Sequence, residues 1–418
     1  MTKRIIAVAF IFICATIAWA ILGGTIFSRT YDSGASSSSR VESTWGTPQN
    51  QGPPTASFET TTSTKEETIE NGKKTVKTIQ NQYTTLLPLE ASNIKVALNL
   101  AHRQKGLLWY STYKVAFTGV YTFQNPSDKE QLVNFKLQFP TAQAIYDNLT
   151  FSVDGVPVPL SSEKSAAMST VKIGAGKTAQ LAIGYRSQGL NEWRYSFGSA
   201  EVAQVRSFSL HMTTNFHDID FPDNTLSPTD KTETANGWDL NWNYSSLLSG
   251  YQIAMAMPEK LQPGPLAGKI SFFAPVSLFF FFFLMLIITT MRGIDLHPMN
   301  YFFLAAAFFS FHLLLAYLVD HISIHASFAI SAAVSVFLVV SYLRLVVGIR
   351  FASREAALAQ FIYLVMFSYA FFLKGFTGLA ITIGTVLTLF VVMQVTGRIR
   401  WTEKFAASAS PEPASEVS

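Results

Sequence analysis

The chain has a single cysteine and little net charge. Cys14 is the only cysteine among 418 residues, so no disulfide can form within the chain. A formal net charge of +4 is too small to indicate a nucleic-acid partner. Phe12 and Ile13 stand before Cys14, where a lipoprotein cleavage site needs a small residue. We therefore expect neither disulfides, nor nucleic-acid binding, nor lipidation.

Motifs for catalysis and metal binding are also missing. Residues 174–178 resemble a phosphate-binding loop, but the first glycine of that motif is replaced by Val171, so we interpret the segment as a hairpin turn. His102, His211 and His217 lack metal-ligand spacing, and the acidic residues near His217 lack a calcium loop. No glycine-flanked nucleophilic serine is present. The sequence predicts a non-enzymatic protein with no cofactor and no metal.

Two apolar regions, residues 5–27 and 272–396, flank a long and mostly polar region. A helix needs about 20 apolar residues to cross a hydrocarbon core of roughly 30 Å. Charged residues divide the second region into five segments of this length: 272–291, 299–319, 326–343, 356–373 and 377–396. Runs such as Phe279–Phe283 lack the alternation of a membrane barrel. We predict six transmembrane helices, one N-terminal and five C-terminal.

The basic residues of the short loops predict the orientation. Six crossings place the following residues on one side of the membrane: Lys3, Arg4, Arg292, Arg344, Arg350, Arg354, Arg398, Arg400 and Lys404. By the positive-inside rule, both termini are expected in the cytoplasm and residues 28–271 outside it. A signal peptide is the alternative for residues 5–27, because Ala18, Trp19 and Ala20 form a small-x-small pattern. The length of the apolar stretch favours an uncleaved anchor.

The region between the apolar stretches has two parts. Residues 28–64 are rich in Ser, Thr, Gly and Pro, which predicts a linker. Residues 65–270 contain alternating segments such as 112–123 and 132–139, and Asp154-Gly155 is a strong hairpin signal. About eight to ten such strands predict an all-β, antiparallel, sandwich-like domain. Residues 89–100 fit a helix or a strand equally, and residues 397–418 are typical of a disordered tail.

Polar side chains in or beside the predicted transmembrane helices are the candidate functional residues, because such groups are costly in a membrane. They are His312, Asp320, His321, His325 and Lys374. His321 and His325 share a face if that segment is helical, and Asp320 and Lys374 lie in adjacent loops where they can pair. One interpretation is a proton relay or metal pocket. The other is that these side chains reach the membrane interface and orient the helix ends.

A further candidate segment precedes the third predicted helix. Pro298 suits a first helical turn, His297 stands directly before it, and Asp295 places a carboxylate near the positive end of the helix. Tyr301 follows one turn inside the apolar stretch. We predict a helix start at this segment.

Three segments resemble the CreD family of bacterial inner-membrane proteins. They are Trp45-Gly46-Thr47-Pro48-Gln49 followed by Gly52-Pro53, residues 295–301 with their His-Pro-x-x-Tyr pattern, and the leucine-rich residues 313–321. Asp320 stands where the family has glutamate, Val319 where it has serine, and Lys374 where an acidic pair is expected. The resemblance implies a multi-pass inner-membrane protein that supports cell-envelope integrity, with residues 28–271 in the periplasm.

These observations lead to one expected function and one alternative. We expect a non-enzymatic protein whose periplasmic β domain binds an unidentified periplasmic or inner-membrane protein, while its helices lie in the lipid bilayer. The alternative is a transporter or proton-coupled device that uses the polar cluster around Asp320. A signalling receptor is disfavoured, because the predicted cytoplasmic segments are too short to fold into a domain. The sequence leaves the oligomeric state open.

Overall fold

The computed structural model describes residues 2–70, 73–105, 108–163, 165–198 and 202–397. These residues form two compact units. The helical unit contains the described residues within 1–36, 106–108 and 261–418, and the β unit contains those within 37–105 and 109–260. Most of the predicted tail, 397–418, lies outside the described residues.

Six helices of the described chain are long and apolar enough to cross a membrane, which confirms the predicted number and order. Their bounds are α1 (Thr2–Trp45), α2 (Pro263–Arg292), α3 (Pro298–Leu318), α4 (Ile324–Val346), α5 (Ile349–Phe372) and α6 (Thr377–Thr396). The membrane-crossing part of α1 is Arg4–Tyr31. Within α5, Ala352–Ala356 and Phe361–Met366 are π-helical. Such stretches are rare and often occur at functional sites.

The core of the helical unit is aromatic and aliphatic. Trp19 of α1, Phe281 of α2 and Phe308 of α3 are fully buried, and Phe281 and Phe308 have ring centroids 5.3 Å apart. Val392 is the buried residue of α6. The other five helices therefore form the packed interior, while α6 presents its apolar side chains outward, as expected for a helix in lipid.

The linker predicted over residues 28–64 is wrong. The first helix continues to Trp45, and strands begin at Gln49 and Thr55. Extending an existing helix avoids the cost of nucleation, so a polar segment can follow the apolar one. Its side chains also bond locally, since Thr44 Oγ1 donates to the carbonyl of Arg40 at 2.7 Å.

The β unit contains sixteen strands within its described residues, more than the sequence predicted. In chain order they are β1 (Gln49–Gln51), β2 (Thr55–Glu70), β3 (Lys73–Leu86), β4 (Leu89–Lys105), β5 (Leu108–Gln124), β6 (Gln131–Gln138), β7 (Asp147–Val153), β8 (Val156–Pro157), β9 (Ser161–Glu163), β10 (Ala166–Ile173), β11 (Thr178–Leu190), β12 (Glu192–Tyr195), β13 (Ala203–Thr214), β14 (Asp230–Thr234), β15 (Gly237–Ser249) and β16 (Ile253–Ala256).

Three sheets contain these strands. Their orders are β1-β12-β16, β3-β2-β6-β10-β9 and β14-β15-β13-β4-β5-β11-β7-β8. Most pairs are antiparallel, as predicted, but β1 with β12 and β13 with β4 are parallel. The region 89–100, left open by the sequence, lies in β4. Alternate residues of β5 and β6, such as Phe117 and Phe135, are buried in the core because successive side chains of a strand point to opposite faces.

Two predicted turns have different outcomes. Asp154 and Gly155 connect β7 to β8 with φ of 49° and 80°, which confirms the hairpin and its two left-handed residues. Residues 174–178 also form a turn, but β10 and β11 belong to different sheets. This segment connects two sheets and is not a hairpin.

Candidate functional site

The three candidate residues around Asp320 make separate contacts in the structure. Asp320 forms an ion pair with Arg29, with 3.2 Å between Oδ2 and Nη1. His321 lies in an exposed turn, because α4 begins only at Ile324. His325 lies in the first turn of α4 with its ring centroid 5.2 Å from that of Phe372. The two histidines therefore do not share a helix face.

The pairing of Asp320 with Lys374 stays a prediction, while the structure pairs Asp320 with Arg29. Lys374 is exposed and follows α5. Nη2 of Arg29 also donates to the carbonyl of Ala316 at 2.8 Å, and its guanidinium lies 5.3 Å from the ring centroid of Tyr317. Arg29 thus attaches α1 to the end of α3, which gives Asp320 a structural partner.

A second arginine attaches α1 to the beginning of α3. The backbone N–H of Met299 donates to Nδ1 of His297 at 3.2 Å, and Pro298 occupies the first helical position, which confirms the predicted helix start. Arg4 Nη1 donates to Asp295 Oδ1 at 2.7 Å. The Arg4 guanidinium also lies 5.9 Å from the ring centroid of the fully buried Tyr301. Asp295 and Tyr301 of this segment are therefore attached to α1 through Arg4.

The two arginine contacts lie at opposite ends of the membrane-crossing part of α1. Arg4 and Arg29 are 25 positions apart, which corresponds to roughly 38 Å along a helix. A hydrocarbon core is roughly 30 Å thick, so both guanidinium groups fit the polar boundaries of a membrane. The two arginines therefore attach α1 to α3 at both ends of this crossing.

The interior of the helical unit contains polar side chains, of which the sequence analysis named only His312. The His312 imidazole is fully buried, and its Nδ1 lies 3.2 Å from the carbonyl oxygen of Phe308. Its ring centroid lies 5.5 Å from that of Trp19 and 4.8 Å from that of Phe311, both edge-on. The histidine therefore contacts α1 from within α3.

Serines continue this polar region along α4. Ser327, Ser331 and Ser335 recur every four residues, and all three are fully buried on one helix face. Ser335 Oγ donates to the carbonyl of Ala307 at 2.6 Å, and Gln360 Nε2 donates to Ser335 Oγ at 2.8 Å. These bonds join α3, α4 and α5. The four-residue spacing of the serines was the sequence signal that could have revealed this face.

Several buried polar atoms have no hydrogen-bond partner within the described part of the chain. Thr30 Oγ1 and Ser271 Oγ are two of them. Five others lie in the interior of the helical unit: Trp19 Nε1, Ser277 Oγ, His312 Nε2, Ser331 Oγ and Gln360 Oε1. Buried polar groups normally have partners, because leaving one unpaired costs free energy. We call these five residues the polar layer. Its groups are uncharged donors and acceptors, and no group of three or more His, Cys, Asp or Glu among the described residues could hold a metal ion.

In the β unit, the segment Trp45–Gly52 has a structural role. Gly46 has φ of 115°, and an added Cβ would lie 2.5 Å from the carbonyl oxygen of Gln188, so the chain needs glycine there. Gln49 Nε2 donates to Ser187 Oγ at 2.8 Å, and the Tyr185 hydroxyl donates to Gln51 Oε1 at 2.7 Å. The glutamines of β1 thus pair with buried polar groups of β11.

The β unit also contains a cavity of about 730 Å³. Its lining includes the irregular segment Gly52-Pro53-Pro54, the end of β3 at Leu86, and the aromatic side chains of Tyr195, Phe197 and Phe208. Arg206 and Glu90 also line it, with 3.5 Å between Nη1 and Oε2. This volume lies within the usual range of ligand sites, roughly 300–1,000 Å³. We call it the β groove.

The family comparison decides the identity of the chain. A family model for the inner membrane protein CreD matches residues 1–402. The chain belongs to the CreD family. This confirms the resemblance of the three sequence segments and extends it over the β unit. The CreD-family protein is accordingly a multi-pass inner-membrane protein with a β-rich unit inserted after its first helix.

The comparisons with other proteins are distant. A search of curated proteins gives no match. A nutrient-binding protein from Legionella pneumophila matches with 10% identity, a TM-score of 0.30, and coverage of 46% of this chain and 72% of that chain. An M1 zinc metallopeptidase from Deinococcus radiodurans matches with 11% identity, a TM-score of 0.25, and coverage of 41% and 42% respectively. Likenesses at these TM-scores carry no argument about function.

Proposed function

We propose that this CreD-family protein supports the integrity of the cell envelope without being an enzyme. Its β unit lies in the periplasm, where it binds a polypeptide partner, and its helices hold that unit at the inner membrane. The positive loops of the sequence support the orientation, with both termini in the cytoplasm and residues 28–271 in the periplasm. The lack of a catalytic motif in the sequence supports a binding role.

The β groove is the observation that carries this proposal. Its lining includes the half-buried Phe197, the buried Tyr195 and Phe208 and the Gly52-Pro53-Pro54 segment, and Arg206 and Glu90 add charges of both signs. Aromatic side chains provide contact area at low entropic cost, while nearby charges provide selectivity. Such a lining suits an extended polypeptide that presents both apolar and charged side chains.

The alternative function, a transporter that uses a cluster around Asp320, receives less support. Asp320 is paired with Arg29, His321 is exposed, and His325 packs against Phe372. A carboxylate paired with arginine at the end of a helix has a structural role that needs no transported substrate. The geometry therefore favours the binding function.

A complementation experiment tests the proposal. In a deletion strain under detergent stress, Leu86→Glu and Leu132→Glu are compared with the unchanged protein at equal membrane levels. Leu86 is 66% exposed and lines the β groove, whereas Leu132 is 59% exposed on β6 outside the lining. We expect Leu86→Glu to lose rescue and Leu132→Glu to keep it. Full rescue by both variants would contradict a role for the groove.

Photocrosslinking identifies the partner. A photoreactive amino acid at position 86 is expected to capture one polypeptide reproducibly in intact cells, while the same group at position 132 does not. Equal capture at both positions, or capture of lipid alone at position 86, would contradict a polypeptide partner.

A further inference from the structure

Five of the buried polar side chains that have an atom without a hydrogen-bond partner lie on five different helices; Thr30 of α1 and Ser271 of α2 also have such an atom. Trp19 belongs to α1, Ser277 to α2, His312 to α3, Ser331 to α4 and Gln360 to α5. All five side chains are fully buried. Within the described residues none of the five atoms has a hydrogen-bond partner.

Contacts between α1, α2 and α3 place three of these residues at one depth. The Trp19 and His312 rings touch, with centroids 5.5 Å apart. Phe281 of α2 packs on Phe308 of α3 with centroids 5.3 Å apart. Because α2 and α3 run antiparallel, Ser277, one turn before Phe281, lies level with His312, one turn after Phe308.

Contacts of α4 place Ser331 at the same depth. The bond from Ser335 Oγ to the carbonyl of Ala307 fixes the register of α3 against α4. Ser331 lies one turn before Ser335, and His312 lies about one turn after Ala307, so the two residues are level within roughly 2 Å. Gln360 is bonded to Ser335 and therefore lies one turn away. The five side chains therefore lie within roughly one helical turn of one another in depth.

The hydrogen-bonding character of the layer indicates its ligand. Nδ1 of His312 lies 3.2 Å from the Phe308 carbonyl oxygen, so Nδ1 carries the proton and Nε2 is left as an acceptor. Gln360 donates its amide to Ser335, which leaves Oε1 as an acceptor. Trp19 Nε1 can only donate, and the hydroxyls of Ser277 and Ser331 can do either. The ligand must therefore both donate and accept hydrogen bonds.

Water is the smallest molecule that both donates and accepts hydrogen bonds. A buried water typically makes two to four hydrogen bonds to polar groups that otherwise lack partners. We propose that the polar layer of Trp19, Ser277, His312, Ser331 and Gln360 binds internal water at the centre of the membrane-spanning helices. This water connects the five helices through hydrogen bonds and donates one of them to Nε2 of His312.

Replacing one of the serines by alanine is expected to change Tm in opposite directions with and without bound water. If Ser331 Oγ or Ser277 Oγ is truly unpaired, replacing the serine by alanine removes a buried unsatisfied group and raises Tm. If water bonds to the hydroxyl, the same change removes a hydrogen bond and lowers Tm. For Ser331→Ala and Ser277→Ala in nanodiscs we expect Tm to fall by about 2 to 4 °C each.

Ser327→Ala is the matched control for this measurement. Ser327 is fully buried on the same face of α4, but its Oγ already donates to the carbonyl of Ser323 at 3.0 Å. The Tm of Ser327→Ala therefore reports the effect of losing a hydrogen bond within a single helix. A Tm that is unchanged or raised in both Ser331→Ala and Ser277→Ala overturns the proposal.

A second measurement detects the water directly. The indole N–H of Trp19 is observed by NMR in protein labelled with nitrogen-15 at tryptophan, and Trp19→Phe assigns its signal among the seven tryptophans. We expect a cross-peak between this N–H and water. Trp242 is the control, because it is fully buried and its Nε1 already donates to the carbonyl of Leu226 at 2.9 Å. Absence of the Trp19 cross-peak overturns the proposal, whatever the Tm values.

Discussion

Arg29 of the first helix and Asp320, which follows the third, form an ion pair with 3.2 Å between Nη1 and Oδ2. The two residues are 291 positions apart, yet they close one end of the helical unit. At its opposite end Arg4 pairs with Asp295 at 2.7 Å. The N-terminal helix is thus an integral part of the bundle, and it does more than anchor the β unit.

We predict that Arg29→Gln lowers the stability of the helical unit by about 1 kcal/mol, because the pair is partly exposed and its electrostatic contribution is screened. Thermal unfolding in nanodiscs measures this change. The double variant Arg29→Asp/Asp320→Arg is expected to recover part of the loss. Arg350→Gln, a change at an exposed arginine of α5, is the control. An equal loss in the control would contradict a specific role for the pair.

We predict that Tyr185→Phe destabilises the β unit by about 1–3 kcal/mol, because it leaves Gln51 Oε1 buried without its hydroxyl donor. Urea unfolding of the full-length protein, followed by tryptophan fluorescence, measures the change. Tyr83 is 57% exposed, so Tyr83→Phe should stay within about 0.5 kcal/mol of the unchanged protein. Similar values for the two variants would show that the Tyr185–Gln51 bond contributes little.

We predict that the β unit loses stability as the pH rises above about 10. Burial raises the pKa of Tyr113, Tyr121, Tyr185 and Tyr195 above the ordinary value of 10.0, and raises that of Tyr146 to about 12. Above pH 10 the unfolded chain releases these protons while the folded chain keeps them. Unfolding then releases protons, so the free energy of unfolding falls with increasing pH.

Tyrosinate absorbance and tryptophan fluorescence, recorded together against pH, check this prediction. The buried tyrosines should ionise only when the fluorescence shows unfolding. Ionisation of every tyrosine near pH 10, with the fold intact, would be the opposite result.

We predict that the first helix stays in the mature protein. Trp19 lies within the small-x-small pattern of a possible cleavage site, but its side chain is fully buried against Phe308 and His312. Cleavage after Ala20 would remove Trp19 and Arg4 from the bundle. Mass spectrometry of the membrane-extracted protein should detect peptides that contain Trp19 and Ala20 still joined to Ile21. Peptides that begin at Ile21 would indicate a signal peptide.

We predict that a reporter fused after Lys404 is active in the cytoplasm, because six crossings return the chain to the side of its positive loops. Paired reporters, one active only in the cytoplasm and one only in the periplasm, make the comparison. A matching fusion within the turn after β14, at Asn236, should give the reverse result. Periplasmic activity after Lys404 would contradict the topology.

The sequence alone determined the six membrane helices, the all-β character of the inserted unit and the turn at Asp154-Gly155. These features depend on hydrophobic length, alternation and turn residues, which are local properties of the chain. Even locally, the sequence missed the continuation of α1 through Trp45, because a Ser-rich segment extends an existing helix although it would not start one.

Only the tertiary structure decided which residues contact each other across the chain. The sequence suggested Lys374 as a partner of Asp320, but only the packing of α1 on α3 revealed its ion pair with Arg29. The parallel pairing of β13 with β4 and the contact of the Trp19 ring with that of His312 likewise join residues from distant parts of the chain. Sequence patterns specify which face of each element is buried, whereas which faces meet depends on packing across the whole unit.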